Sequence, residues 1–345
     1  MSDTISKRRS LFRRLRNGIG YLFFLGVVVL LLLELCFRYY LIDFYSANFY
    51  GLNSKELLEN KVGKIPLLVM GDSFTADPRS YIAQLREQLP DHQVINSAVP
   101  GTCVKQSSLM FPSRNRHYAP QIFLYQLYVG NDLLEFRHPT KGANISMLRR
   151  CYWWLSDRLW VLGYLNSRLP HLRQAIHHDL PTDYDPKVLA DFSPQRYSAR
   201  SKMHFRAEPF LIENSALLQG ARRQDMEHYI PRIEQMFQPL PADCSIILLV
   251  LPHCMQLNAR YRDRMLQLGA QLQDTTNILQ TNYPFFNQLQ QHFGPDPRIQ
   301  LINALPILRV AEEQASVYYD NDPHLNRAGQ QIIGDTLATL LLKMR

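Results

Sequence analysis

Between positions 65 and 305 the chain carries five short apolar runs in which hydrophobic and polar residues do not alternate. They are IPLLVMG (65–71), HQVINSAVPG (92–101), APQIFLYQLYVGND (119–132), CSIILLVLPH (244–253) and DPRIQLINAL (296–305). A strand with one wet face alternates with period two, whereas a strand covered on both faces reads as a continuous apolar run. Helical periodicity separates the runs, as from Arg79 to Leu89, and returns at the end of the chain from about Arg327. The pattern predicts a parallel five-stranded sheet, which right-handed crossovers wind into a three-layer α/β sandwich.

About a hundred residues, 133–241, intervene between the third and fourth runs, far more than an ordinary connection. This insertion is expected to carry its own helices. It contains CYWWLSDRLWVLGYL (151–165), aromatic on nearly every face. A cap over the ligand-binding edge of the sheet is the preferred reading, with membrane contact or plain helical packing as alternatives.

A different apolar run precedes the sheet. From Ile19 to Phe37 only Glu34 is charged, and the length matches a hydrocarbon core. A signal peptide has a shorter apolar centre and a small-residue cleavage site, but this run continues into Cys36, Phe37, Arg38, Tyr39 and Tyr40. The expectation is an uncleaved single-pass anchor over 19–40. The basic arm, 1–18, would lie in the cytoplasm and the domain from 43 to 345 on the periplasmic or other extracytoplasmic side of the inner membrane. Glu34 is expected near the exit headgroups or paired with Arg38, one turn on. Residues 43–64 read as a polar, aromatic linker.

At 345 residues and 46% hydrophobic, the chain can bury a sizeable core. Of its net charge of +8, the arm with Lys7, Arg8, Arg9, Arg13, Arg14, Arg16 and Asp3 supplies +5, so the remainder gives no nucleic-acid footprint. Cys36 lies in the span. Cys103, Cys151, Cys244 and Cys254 face a compartment that permits three pairings, with free buried thiols as the alternative. Cys244 and Cys254 bracket one strand, too far apart for a bridge at roughly 3.3 Å per residue unless the chain folds back.

Ligands in an open parallel sheet sit beyond the C-terminal strand ends. There the chain places Ser73 after the first run, Gly101 after the second, Asn131 and Asp132 after the third, and His253 after the fourth. YYDNDPHLNRAGQ, before the last helix, adds Asp320, Asp322 and His324. Serine, histidine and carboxylate at one edge form the inventory of nucleophilic acyl transfer. Each also has a structural reading. Ser73 could cap the next helix, and His324 could be a surface turn residue. Asp72 reads as holding its turn, Asp132 as an N-cap and His253 as a packed histidine. His177, His178 and Asp179 do not suggest a metal, because adjacent histidines point apart, and no metal or cofactor is expected.

Ser73 in GDSF, Gly101 in VPGT, Asn131 in GND and His324 in DPHLN resemble, in order, the four blocks of the SGNH (GDSL) hydrolases. The resemblance covers 65–135 and 298–345 and implies a flavodoxin-like sheet; the N-terminal anchor looks like that of envelope-bound bacterial members. Two positions depart from the pattern: Phe74 replaces the usual Leu, and Asn321 stands where many members have Asp. The acid is then Asp322, or alternatively Asp320. The chain lacks the Gly-x-Ser-x-Gly elbow, since Thr75 stands where the second Gly belongs.

The roles implied are Ser73 as nucleophile, His324 as base and Asp322 as the residue fixing the imidazole tautomer. The oxyanion hole is formed by Ser73, Gly101 and Asn131, with Gly101 chosen because a Cβ would intrude on the substrate. The expected protein is a membrane-anchored serine esterase acting on an acyl ester, for instance acetyl, of an envelope glycan or lipid. An O-acyltransferase using the same site is one alternative. A non-catalytic glycan-binding scaffold with a partner in an envelope assembly is the other.

Overall fold

In the computed structural model the described residues are 2–59, 62–140, 144–165 and 191–344. The His177, His178 and Asp179 group lies outside them. The five apolar runs form β1 (Ile65–Met70), β2 (His92–Asn96), β3 (Ile122–Tyr128), β4 (Ser245–Leu251) and β5 (Ile299–Asn303). They make one sheet in the order β2-β1-β3-β4-β5, and all four pairings are parallel. Every residue of β3 is buried, and so is all of β4 beyond Ser245, which is why these runs show no alternation. β5, at the edge, is only partly covered.

The chain crosses from β1 to β2 through the helix Tyr81–Gln88, then returns past β1 to β3 through the helix Val104–Tyr118. Right-handed crossovers in opposite directions place these helices on opposite faces. Tyr81–Gln88 packs against the last helix, Arg327–Lys343, and Val104–Tyr118 packs against Ala221–Phe237. The winding reverses between β1 and β3, and there the strand ends splay their following loops apart into a crevice. Ser73 follows β1 and Asn131 follows β3, so both stand at that reversal.

The first crossover helix starts two residues later than the periodicity predicts. Asp77 accepts a hydrogen bond from the Arg79 amide at 2.7 Å, and its carbonyl accepts from the Ser80 amide at 3.0 Å, holding a turn through Pro78. Of the stretch read as a linker, residues 43–59 pack on the domain's core. They hold the short helices Ser46–Leu52 and Lys55–Glu59, and Asp43 pairs with Arg114 at 2.7 Å. Asn53 bridges to β2, donating to the Asn96 carbonyl at 2.7 Å and accepting from its amide at 2.9 Å.

One helix, Ser2–Arg38, contains the N-terminal apolar run, and its portion Arg14–Arg38 is long and apolar enough to cross a membrane. Glu34 pairs with Arg38 and also accepts from the Trp160 and Val161 amides at 3.0 and 2.9 Å. The insertion is largely helical in its described parts, with helices at Met147–Ser156, Ala199–Ala207, Leu211–Leu217 and Ala221–Phe237. All five cysteines are free. Burial pushes the thiols of Cys103 and Cys254 up to about 12, so neither is poised to react.

Candidate active site

Ser73 lies in a turn whose shape is set by its neighbours. The Asp72 carbonyl accepts from the Thr75 amide at 3.2 Å and the Ala76 amide at 2.9 Å, and the Asp72 carboxylate accepts from the Phe74 amide at 3.0 Å. Gln126, a polar residue inside the buried strand β3, clamps the turn from beneath. Its carbonyl oxygen accepts from the Asp72 amide at 3.2 Å and the Thr75 hydroxyl at 3.0 Å. Gly71 makes that approach possible, because a Cβ there would lie 2.6 Å from Gln126 Oε1. Gln330 of the last helix completes the clamp, donating to the Phe74 carbonyl at 3.1 Å and accepting from the Tyr81 amide at 3.0 Å. Ser73 therefore caps no helix; Ser80 occupies the N-cap position of Tyr81–Gln88.

The loop before the last helix is fixed as firmly. Tyr318 and Leu325 form an antiparallel bridge, and the Tyr319 amide donates to the His324 carbonyl at 3.1 Å. Asn326 caps Arg327–Lys343 by accepting from the Gly329 amide at 3.0 Å. This brings His324 Nε2 to 2.7 Å from Ser73 Oγ. On its other side His324 Nδ1 is bonded to Asp322, which also accepts from the His324 amide at 2.9 Å. Asp320 points elsewhere and forms an ion pair with Arg264. Ser73 and the neighbouring His324 and Asp322, from two distant parts of the chain, thus line up as hydroxyl, imidazole and carboxylate.

The electrostatics suit a base. Burial works against the charged imidazole, but the hydrogen bond and charge of Asp322 and the nearby Asp72 raise His324 above its ordinary value. Against the cost of its own burial, the hydrogen bond and charge of His324 hold Asp322 below the usual carboxylate range. Asp72 is 2% exposed, and burial pushes its carboxyl up to about 6 although the Phe74 amide and His324 oppose the shift. The Phe74 ring packs on the imidazole at 4.7 Å and on Tyr128 at 4.3 Å, walling one side of His324.

Gly101 has φ +67°, a left-handed backbone that favours glycine. A Cβ there would meet nothing closer than Arg200 at 3.9 Å, so backbone conformation and not crowding within the chain demands glycine. Among the described residues neither the Ser73 amide nor the Gly101 amide donates a hydrogen bond. Asn131 precedes the helix Asp132–Phe136, and its Oδ1 is buried without a partner. The N-cap is Asn131 and not Asp132, whose buried carboxylate accepts from the Tyr128 amide at 2.9 Å. His253 caps a short turn by accepting from the Met255 amide at 3.1 Å, and burial lowers it to about 3, a packed neutral histidine. Among the described residues no group of His, Cys, Asp and Glu could hold a metal ion.

Gln126 and Gln330 escape the motif reading as clamps, and Phe74 and Asn321 enter it as departures without what they do. Gln126 left a signal as the single amide in its apolar strand, and Gln330 left none. Asn321 is 3% exposed and ties the histidine loop to the returning insertion, accepting from the Ser193 amide at 2.8 Å and donating to the Asp191 carbonyl at 3.1 Å. The insertion's return segment therefore borders the site.

No family model and no curated protein matches the chain. Among solved structures it is similar to that of TesA, at 14% identity over 80% of this chain and 99% of the other, with a TM-score of 0.38. A lipase, Lip_vut3, from a goat rumen metagenome matches at 12% identity over 80% and 97%, with a TM-score of 0.39. A catalytic mutant of Axe2, an acetylxylan esterase from Geobacillus stearothermophilus, matches at 14% over 81% and 95%, with a TM-score of 0.38. Likeness at these scores adds nothing to what the geometry gives.

Proposed function

We propose that the chain is a serine ester hydrolase, held to a membrane by its N-terminal helix, that cleaves an acyl ester through an acyl-enzyme. One observation carries this reading: Ser73 Oγ lies 2.7 Å from His324 Nε2 while Nδ1 of the same ring is bonded to Asp322. In the proposed first step Ser73 Oγ attacks the ester carbonyl and passes its proton to Nε2. Asp322 keeps the remaining ring proton on Nδ1 and stabilises the imidazolium. The oxyanion is met by the unengaged amides of Ser73 and Gly101 and by the Asn131 side chain. Collapse expels the alcohol, which takes the proton from His324. Water, deprotonated by the same base, then releases the acid. The substrate in this reading is an acyl ester of an envelope glycan or lipid.

The test uses the full chain in mild detergent with a fluorophosphonate probe and p-nitrophenyl acetate. The chain is expected to be labelled and to turn over the ester, and Ser73→Ala to abolish both. Equal labelling of the Ser73→Ala variant would falsify the assignment.

A further inference from the structure

A cavity of about 630 Å³ opens on the face covered by Val104–Tyr118 and Ala221–Phe237, and none of the residues assigned above to catalysis lines it. Its cations are Lys105, Arg137, Arg158 and Arg232, and its one carboxylate is Asp157. Asp157 is engaged by His138 at 2.7 Å, and Arg137 by Asp225 at 3.0 Å. Lys105, Arg158 and Arg232 form no ion pair among the described residues. Lys105 is only 8% exposed, and its ammonium makes no hydrogen bond there; it faces the rings of Phe136 and Trp160 at 4.9 and 6.0 Å. Arg232 also lies over Trp160, at 5.9 Å, and Arg158 over Trp154, at 4.0 Å. Gathering three cations around one space costs mutual repulsion, and the cavity's one carboxylate is already engaged by His138. An oxygen-rich anion removes that repulsion, and guanidinium forks with an ammonium fit phosphate oxygens.

The position of the cavity narrows the source of the phosphate. The Arg158 carbonyl accepts from the Arg38 guanidinium at the end of the membrane-length helix, and Glu34 of that helix accepts from the Trp160 and Val161 amides. The lip of the cavity is therefore fixed to the last turns of the apolar helix. Beside it Met147, Leu148, Trp154 and Leu155 are exposed on one face of Met147–Ser156. An apolar face next to the end of a spanning helix lies at the level of lipid headgroups.

We propose that this cavity binds the phosphate of a membrane phospholipid, held by Lys105, Arg158 and Arg232. The proposal rests on the reading of the N-terminal helix as an anchor and is independent of the esterase assignment.

The full chain in mild non-ionic detergent is titrated with phosphatidylglycerol and, separately, with inorganic phosphate, and bound lipid is read by native mass spectrometry. Wild type is expected to retain the lipid. Lys105→Gln and Arg232→Gln are each expected to weaken retention about tenfold, as loss of a charge-assisted hydrogen bond does. Arg158→Gln, at the lip, is expected to weaken retention in the same direction, and melting temperatures in lipid-free detergent check that each variant is folded. Equal lipid retention by wild type and all three variants overturns the proposal. So does loss of the bound lipid on adding inorganic phosphate at equal concentration, which would make a soluble phosphate compound the ligand. Carbonate extraction of membranes reads the anchor separately: release of the chain would overturn the lipid source, whereas the ester assay in detergent would be unaffected.

Discussion

Replacing Asp322 by Asn, beside Asp320 by Asn, separates the orienting acid from a structural one. Asp322 accepts from both Nδ1 and the backbone amide of His324, so an amide in its place no longer enforces a proton on Nδ1. The wrong tautomer then presents an N–H to Ser73 where a base is needed. In serine triads that error costs about 10⁴ in turnover, or about 5.5 kcal/mol of barrier. Asp320→Asn removes only the ion pair with Arg264, whose side chains are 30% and 17% exposed, worth about 1 kcal/mol of stability and little turnover. Steady-state kinetics with p-nitrophenyl acetate measure both variants. The pH profile adds a second sign: the neutral imidazole is the active form, and His324 is raised above its ordinary value. The rising limb of kcat/KM should therefore lie above pH 6.5 and move down in Asp322→Asn, where the raising charge is gone. If Asp320→Asn loses more turnover than Asp322→Asn, the assignment is refuted.

Asn131→Ala should lower kcat by about 10² to 10³ with little change in KM, the cost of one oxyanion donor, as measured by initial rates. Gly101→Ala should destabilise by about 1–2 kcal/mol in urea melts, because its φ of +67° strains any Cβ-bearing residue while the space around it is open. Asp72→Asn should change stability in a pH-dependent way. The folded carboxyl is raised from 3.8 to about 6, so the protonated form's advantage is complete below pH 3.8 and is lost as pH rises through 6. Above that the buried charge costs about 3 kcal/mol, which Asn avoids while still accepting from Phe74. Urea melts should thus favour the variant at pH 8 and not at pH 4; a difference independent of pH would refute this.

The sheet was legible because strands buried on both faces leave an unbroken apolar record, and the crevice followed from strand order. Ser73, Gly101 and Asn131 drew notice by following strands and His324 by preceding the last helix, and the structure brings Ser73 and His324 together. Three features were not legible, two because remote partners decide them and one because a local side-chain turn does. Asp320 and Asp322 flank the same turn, and Arg264, 56 residues away, takes the first. Glu34 faces two amides more than a hundred residues later. The turn that delays the first crossover helix depends on the Asp77 side chain, which periodicity does not register.

Asn321 shows how such partners relocate a role. Its amide uses both ends in a buried position, accepting from the Ser193 amide and donating to the Asp191 carbonyl. A carboxylate has no proton for that carbonyl and would set two oxygens against each other where water cannot screen them. An acid at 321 is thus incompatible with the way the insertion returns to the histidine loop. The next position but one before the histidine is free of that duty, and its side chain reaches Nδ1 by curling back over its own turn, bonding the His324 amide on the way. Docking the insertion and orienting the imidazole are tasks for neighbouring residues, and the amide at 321 leaves the carboxylate at 322 to face the ring.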